Sequence, residues 1–179
     1  MTRIRLGMVG GGRDAFIGEV HRLAARIDGR FDLVAGALSS TPEKSRESGA
    51  ALGLDRSYDG FAAMAEAEAA REDGIEAVSI VTPNHVHWPA AREFLSRGIH
   101  VICDKPLTST LEDAESYAAA VREAAGNGTV FVLTHNYTGY PMVRQAREMV
   151  AAGELGRVRV VQVEYPQDWL ADDLESTGQ

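Results

Sequence analysis

A short apolar run, Ile4 to Val9, stops at three consecutive glycines, Gly10-Gly11-Gly12, and a helical pattern takes over almost at once. Ile17, Val20, Ala24 and Ile27 recur at the spacing of one helix face. The glycines therefore occupy a strand-to-helix turn. Without a Cβ, such a turn can take positive φ and let backbone come close to a ligand. The N–H groups and positive dipole end of the following helix suit a pyrophosphate. Gly10 and Gly12 match the first two positions of G-x-G-x-x-G, but the third position holds Ala15 and the next glycine is Gly18. The loop reads as lengthened, with Gly10, Gly12, Phe16 and Ile17 at the expected cofactor turn. A tight turn without a ligand would use the same residues.

Behind this turn the chain has the composition of an ordinary globular protein, 45% hydrophobic and 25% charged over 179 residues. A domain of roughly 150 residues buries about 70% of its unfolded surface, so one core forms without staples. The net charge of −8 argues against a nucleic-acid surface. A single cysteine, Cys103, excludes an internal disulfide framework and a cysteine-rich zinc site, and its place in an apolar strand makes it a core residue. No metal site is expected. No apolar stretch approaches the ~18 residues of a membrane helix. The first strand starts too early for a signal peptide. The expectation is a cytoplasmic protein with no membrane partner.

Strand and helix patterns then alternate. Phe31 to Leu38 reads as a second strand, and Thr41-Pro42 as a helix start, with Gly53 beyond its end. A third helix covers about Phe61 to Arg71, and Ala77 to Val81 is a strand. Pro89 is expected to open the next helix and Gly98 to close it. His100 to Cys103 is a strand. The helix after it carries Leu111, Ala114, Ala118, Val121 and Ala125 on one face, capped by Ser109 with Glu112. Thr129 to Thr134 closes the series. Strands joined by helical crossovers predict a doubly wound parallel sheet covered on both faces. Its ligands bind beyond the carboxyl ends of the strands, where each motif falls: the glycines, Ser39-Ser40, Thr82-Pro83-Asn84, Asp104-Lys105-Pro106 and His135-Asn136-Tyr137. From Pro141 a helix with Met142, Ala146, Met149 and Val150 on one side leads to Arg157–Tyr165, whose alternation predicts the first strand of another sheet.

The glycine loop, Thr82-Pro83-Asn84-x-x-His87, Asp104-Lys105-Pro106-Leu107, Asn136-Tyr137 and Gly153-Glu154-Leu155-Gly156 together resemble the Gfo/Idh/MocA family of glucose–fructose oxidoreductase and inositol dehydrogenase. The resemblance implies an N-terminal NAD(P)-binding Rossmann domain, residues 1–138, and the start of a C-terminal substrate and oligomerisation domain at 139–179. It implies hydride transfer between NAD or NADP and a hydroxyl carbon of a sugar, cyclitol or related polyol. By the same resemblance, an NAD-dependent glycosidase or a non-catalytic dinucleotide-binding fragment would share the visible residues. Homo-oligomers would form through a complete second domain. Three features depart from the family pattern: Asp104 stands where Glu is usual, the glycine loop is longer, and the family's Asp-x-x-x-His signature would lie beyond Gln179.

The resemblance makes Lys105 the catalytic candidate, its ammonium meeting the nicotinamide ribose and the substrate hydroxyl and favouring a developing alkoxide. Asp104, Pro83, Asn84 and His87 are implied to border the cofactor, although His87 equally suits a structural role at the helix start. His85 is expected to be exposed, and His21 to support packing near the loop. Asn136 and Tyr137 are implied to border the substrate pocket, with Tyr137 either a proton relay or a packing residue. The second strand ends in Ser39, Ser40 and Thr41, with Lys44 and Arg46 following, where NAD enzymes commonly carry an acid. Hydroxyls and cations tolerate a 2′-phosphate, so this end leans towards NADP, although the basic pair also suits an ordinary helix surface.

Overall fold

The computed structural model describes residues 2–13 and 15–168. Residues up to His135 form one compact unit, and those from Asn136 on form another. In the first, β1 (Ile4–Gly10), α1 (Phe16–Ile27), β2 (Phe31–Ala37), α2 (Pro42–Ala51), β3 (Arg56–Ser57) and α3 (Phe61–Ala69) are followed by β4 (Ala77–Val81), α4 (Asn84–Leu95), β5 (His100–Cys103), α5 (Leu111–Gly126) and β6 (Phe131–Leu133). The six strands lie in the order β3-β2-β1-β4-β5-β6, every pair parallel. The order reverses between β1 and β4, so the carboxyl ends of those strands open a crevice at a topological switch point.

All five residues of β4, Ala-Val-Ser-Ile-Val, are buried. A continuous run is what a strand covered on both faces requires. Successive side chains part to opposite sides. Val9, Val78 and Ile80 join Met64, Phe94 and Tyr117 in the larger core. Met8 and Val81 join Leu38 in a smaller one, with Ile17, Leu33 and Leu54 packed against it. Tyr117 lies between Trp88 and Phe131, with ring centroids 5.2 and 5.0 Å away, and ties α4, α5 and β6 together. Cys103 is fully buried.

Local details differ from the sequence reading where tertiary contacts outweigh local pattern. The apolar stripe of α1 turns away from the sheet after Ile17: Val20 is 41% and Ile27 78% exposed. Gly18 faces inward instead, because its Cα meets the backbone of Gly11 in a gap where no side chain fits. His21, Arg22 and Ala25, on the same side of the helix as Gly18, follow it towards the sheet and are half-buried. Helix α4 begins at Asn84 and carries Pro89 inside it. The N–H that Pro89 lacks would have bonded the carbonyl of His85, an exposed residue, so the loss falls outside the core. Helix α5 is capped by Thr110, whose hydroxyl accepts from the Asp113 N–H at 3.2 Å, one residue later than Ser109. Its buried side centres on Tyr117 and Ala124, while Leu111 is 71% exposed.

In the second unit a short 3-10 turn, Asn136–Gly139, precedes α6 (Pro141–Ala151). The segment 157–165, expected as a strand, has no ladder partner among the described residues. Val158, Val160, Val161 and Val163 are all exposed, so the alternation has no sheet face to bury.

Candidate functional site

Gly10 and Gly11 turn the chain out of β1 at φ +78° and +70°. A Cβ on Gly10 would stand 2.7 Å from the carbonyl oxygen of Val81, so the loop hugs the end of β4 as only glycine permits. The Gly12 N–H donates to Leu38 O at 3.1 Å and the Arg13 N–H to Ser48 Oγ at 3.1 Å. These bonds fasten the loop to β2 and α2. Arg22, on the second turn of α1, donates to Gly11 O at 2.5 Å from the other side. Ala15 precedes α1 and gives it no side-chain cap, so no side chain at the N-cap position takes up the first N–H groups of the helix among the described residues.

Between this loop, the end of β2 and the end of β4 lies a cleft of about 860 Å³. Ser39, Ser40 and Lys44 line it on the β2 side, Thr82, Pro83 and His85 on the β4 side. Thr82 Oγ1 is buried there without a hydrogen-bond partner among the described residues. Lys44 has no carboxylate within ion-pair distance among the described residues, whereas Arg46 is held by Asp59 at 2.6 Å and Glu43 at 3.7 Å. Glu47 and Asp59 also reach the lining.

The next strand end carries the Lys105 turn. Asp104 N–H donates to Ile80 O at 2.9 Å, and the Asp104 carboxylate accepts from Thr134 Oγ1 at 2.8 Å. His87, 1% exposed, stands between two carbonyls, Nδ1 at 2.8 Å from Pro106 O and Nε2 at 3.0 Å from Thr82 O. Carbonyls only accept, so the ring is the donor in these contacts. His87 thus joins the Thr82 and Lys105 turns. Lys105 is exposed and makes no ion pair among the described residues.

Of the residues expected at the cofactor, Gly10, Gly12, Ser39 and Pro83 line the cleft together. Phe16, 80% exposed, lines a neighbouring groove with Glu19, Arg22 and Leu52. Ile17 packs into the smaller core. Asn84 is exposed at the start of α4 and outside the lining. Asp104 turns towards Thr134 and His21. Asn136 and Tyr137 belong to the second unit, where the Tyr137 ring meets Tyr140 at 5.3 Å and Tyr165 at 6.3 Å. Sequence reasoning passed over Thr82, His85 and Arg22. Thr82 stood inside a recognised motif, and Arg22 stood one turn beyond Gly18. No group of His, Cys, Asp and Glu among the described residues could hold a metal, and no described helix is long and apolar enough to cross a membrane.

A glycine turn of this shape at the switch point of a parallel sheet is what an NAD-binding Rossmann domain needs. The model of the Gfo/Idh/MocA oxidoreductase family, NAD-binding Rossmann fold, matches residues 4–130. The chain belongs to this family. An uncharacterized oxidoreductase of Bacillus subtilis, YfiI, is 38% identical over 95% of the chain and 43% of its own length. Levoglucosan dehydrogenase of Pseudarthrobacter phenanthrenivorans is 30% identical over 96% of the chain and 43% of its own length. Among solved structures, an oxidoreductase from Sinorhizobium meliloti is 67% identical, with a TM-score of 0.89 over 95% of this chain and 47% of that one. An inositol dehydrogenase homolog from Azotobacter vinelandii, complexed with NADH and myo-inositol, is 46% identical, with a TM-score of 0.81 over 88% of this chain and 41% of that one. The chain therefore spans less than half the length of these relatives.

The residues present fit the family's cofactor. Among the described residues the cleft offers first-turn helix N–H groups without an N-cap side chain to a diphosphate, the buried Thr82 hydroxyl without a partner, and the hydroxyls of Ser39 and Ser40 with unpaired Lys44 at the end of β2.

Proposed function

We propose that this chain is the cofactor-binding part of an NAD- or NADP-dependent oxidoreductase that moves a hydride to or from a hydroxyl carbon of a sugar, cyclitol or related polyol. The observation that carries the reading is the cleft at the switch point, where positive-φ Gly10, the uncapped start of α1 and the Thr82 hydroxyl converge next to the turn that bears Lys105. Oxidation of a CH–OH carbon to a carbonyl gives up one hydride and one proton. A bound nicotinamide dinucleotide supplies the hydride acceptor. The glycine loop and first turn of α1 hold the diphosphate, and Ser39, Ser40 and Lys44 meet the adenosine ribose. Lys105 places a positive charge where an alkoxide develops. The proton needs a base, and no Asp-x-x-x-His sequence occurs in these 179 residues. In this reading the base comes from the further length that the relatives have.

Myo-inositol in the homolog complex and the name levoglucosan dehydrogenase support the substrate class. A small-molecule partner, assembly as a homo-oligomer through further sequence, and a cytoplasmic location belong to the same reading, which the acidic charge and lone buried cysteine support. The test uses a full-length protein containing this chain and follows reduced-nicotinamide absorbance over a panel of polyols. Turnover of free cofactor is expected with at least one cyclitol or sugar. Cofactor binding without turnover, alongside glycoside cleavage with the nicotinamide recycled in place, would favour the glycosidase instead.

A further inference from the structure

One polar cluster under the sheet edge belongs neither to the glycine loop nor to the cleft wall. His21, on the inward side of α1, has Nδ1 at 2.8 Å from Ser79 Oγ, in the middle of β4. Its Nε2 stands 3.6 Å from Asp104 Oδ1, the oxygen that also accepts from Thr134 Oγ1. The two side chains are only 11% and 14% exposed. Thr134 is in turn fastened by its N–H to Cys103 O at 2.9 Å. One carboxylate thus gathers α1 and the ends of β5 and β6, and the residue after it is Lys105.

A carboxylate and an ammonium on adjacent residues of a turn pair readily when both are free, and the pair would mask the lysine charge. Here Asp104 accepts from Thr134 with His21 standing 3.6 Å away on the α1 side, and Lys105 is left unpaired among the described residues. We propose that His21 is a positioning residue: it holds the Asp104 carboxylate on the α1 side of the sheet edge, so that Lys105 keeps an unmasked charge for the reaction. At 3.6 Å the ring stands just beyond hydrogen-bond length from the carboxylate, close enough to fill the space on its α1 side, while Ser79 holds the other ring nitrogen at 2.8 Å. Burial pushes the His21 pKa below its ordinary value against the opposing pull of Asp104. Arg22, the next residue, holds Gly11 O, so one turn of α1 steadies both the phosphate loop and the Lys105 turn.

The role of Lys105 rests on the function proposed above; the placement of Asp104 does not. Two half-replacements separate the contacts. His21→Gln carries an amide to about the position of Nε2 and keeps a donor for Asp104, while His21→Asn reaches only the position of Nδ1 and keeps Ser79. Both are made in the full-length protein. Acylation of the Lys105 amine at mildly alkaline pH is followed by peptide mass spectrometry, and kcat and KM are measured with cofactor and polyol. In His21→Asn the carboxylate, left with Thr134 alone, should swing towards Lys105 and slow its acylation roughly threefold, the size of an exposed ion pair, and lower kcat about tenfold with the cofactor KM nearly unchanged. His21→Gln should retain both values, and Asp104→Asn should make acylation indifferent to residue 21. Equal behaviour of the Gln and Asn variants, or acylation that ignores residue 21 while Asp104 is present, overturns the proposal. If no polyol is turned over at all, the functional reading fails, and the acylation rates still decide the role of His21.

Discussion

Glu68 is 1% exposed and accepts four hydrogen bonds: Arg56 at 2.7 and 3.0 Å, the Tyr58 hydroxyl at 2.6 Å and the Ile75 N–H at 3.0 Å. Burial disfavours its charge, but the bonds from Arg56 and Tyr58 outweigh burial and hold the carboxyl below its ordinary 4.5. A depressed carboxyl contributes stability above its unfolded value and loses it as the pH falls through the folded one. Denaturant midpoints should therefore drop as the pH falls below about 4.5, the ordinary value, and Glu68→Gln should flatten that drop. At neutral pH the same change should cost about 3 kcal/mol, because Arg56 loses its buried partner. An unchanged pH profile in Glu68→Gln would clear Glu68 of the role. Burial and the bond to Glu68 push Tyr58 up to about 12, so the hydroxyl stays a donor at physiological pH. At the cleft, Lys44→Ala should weaken NADP binding about tenfold, the value of one charge-assisted hydrogen bond, and leave NAD binding alone. Calorimetric titration with each cofactor reads the difference, and equal losses would remove Lys44 from the ribose end. Lys105→Ala in a full-length protein should lower kcat on the order of a hundredfold, with little change in cofactor Kd. Near-normal turnover would take Lys105 off the catalytic list.

Helices in this domain take their orientation from what the sheet edge requires, and their ends from single side chains. Helix α1 is turned by the Gly11–Gly18 contact, so the face it buries carries His21 and Arg22 while its hydrophobic stripe beyond Ile17 is left outward. Helix α5 is started by Thr110, with Asp113 three residues on at the same end. Thr110→Ala should cost about 1 kcal/mol, and Ser109→Ala, which removes no cap, should stay within about 0.5 kcal/mol. Urea midpoints of the two variants distinguish them; equal losses would mean that the hydroxyl at 110 does not cap the helix.

For the whole molecule, binding and chemistry should separate. The 179-residue chain holds the glycine loop, the ribose end of β2 and the Lys105 turn within its first compact unit, but no Asp-x-x-x-His sequence. It should bind NAD or NADP measurably, more weakly than a full-length relative, and turn over no polyol. Calorimetry alongside a turnover assay checks both halves, and robust turnover by the chain alone would show that the chemistry needs no further residues.

The parallel sheet was legible because β1, β2, β4 and β5 are short apolar runs and each is followed by turn residues at its carboxyl end. Such local chemistry needs no knowledge of distant partners. The two-residue strand β3 was not legible, since Arg56 and Ser57 become strand only by pairing with Ala35 and Gly36. Gly10 could be placed at the strand-to-helix turn from its position after a strand. What Gly18 faces, and therefore which side of α1 is inward, depended on the approach of Gly11 from another element. His87 was left between two roles by the motif alone, and two carbonyls from different turns made it a clasp. His21 read as packing because its partners, Ser79 and Asp104, are far away in sequence. Periodicity, glycine and proline act within a few residues and can be read along the chain; the partner of a buried polar group is chosen by packing in three dimensions, and only the folded sheet brought those groups together.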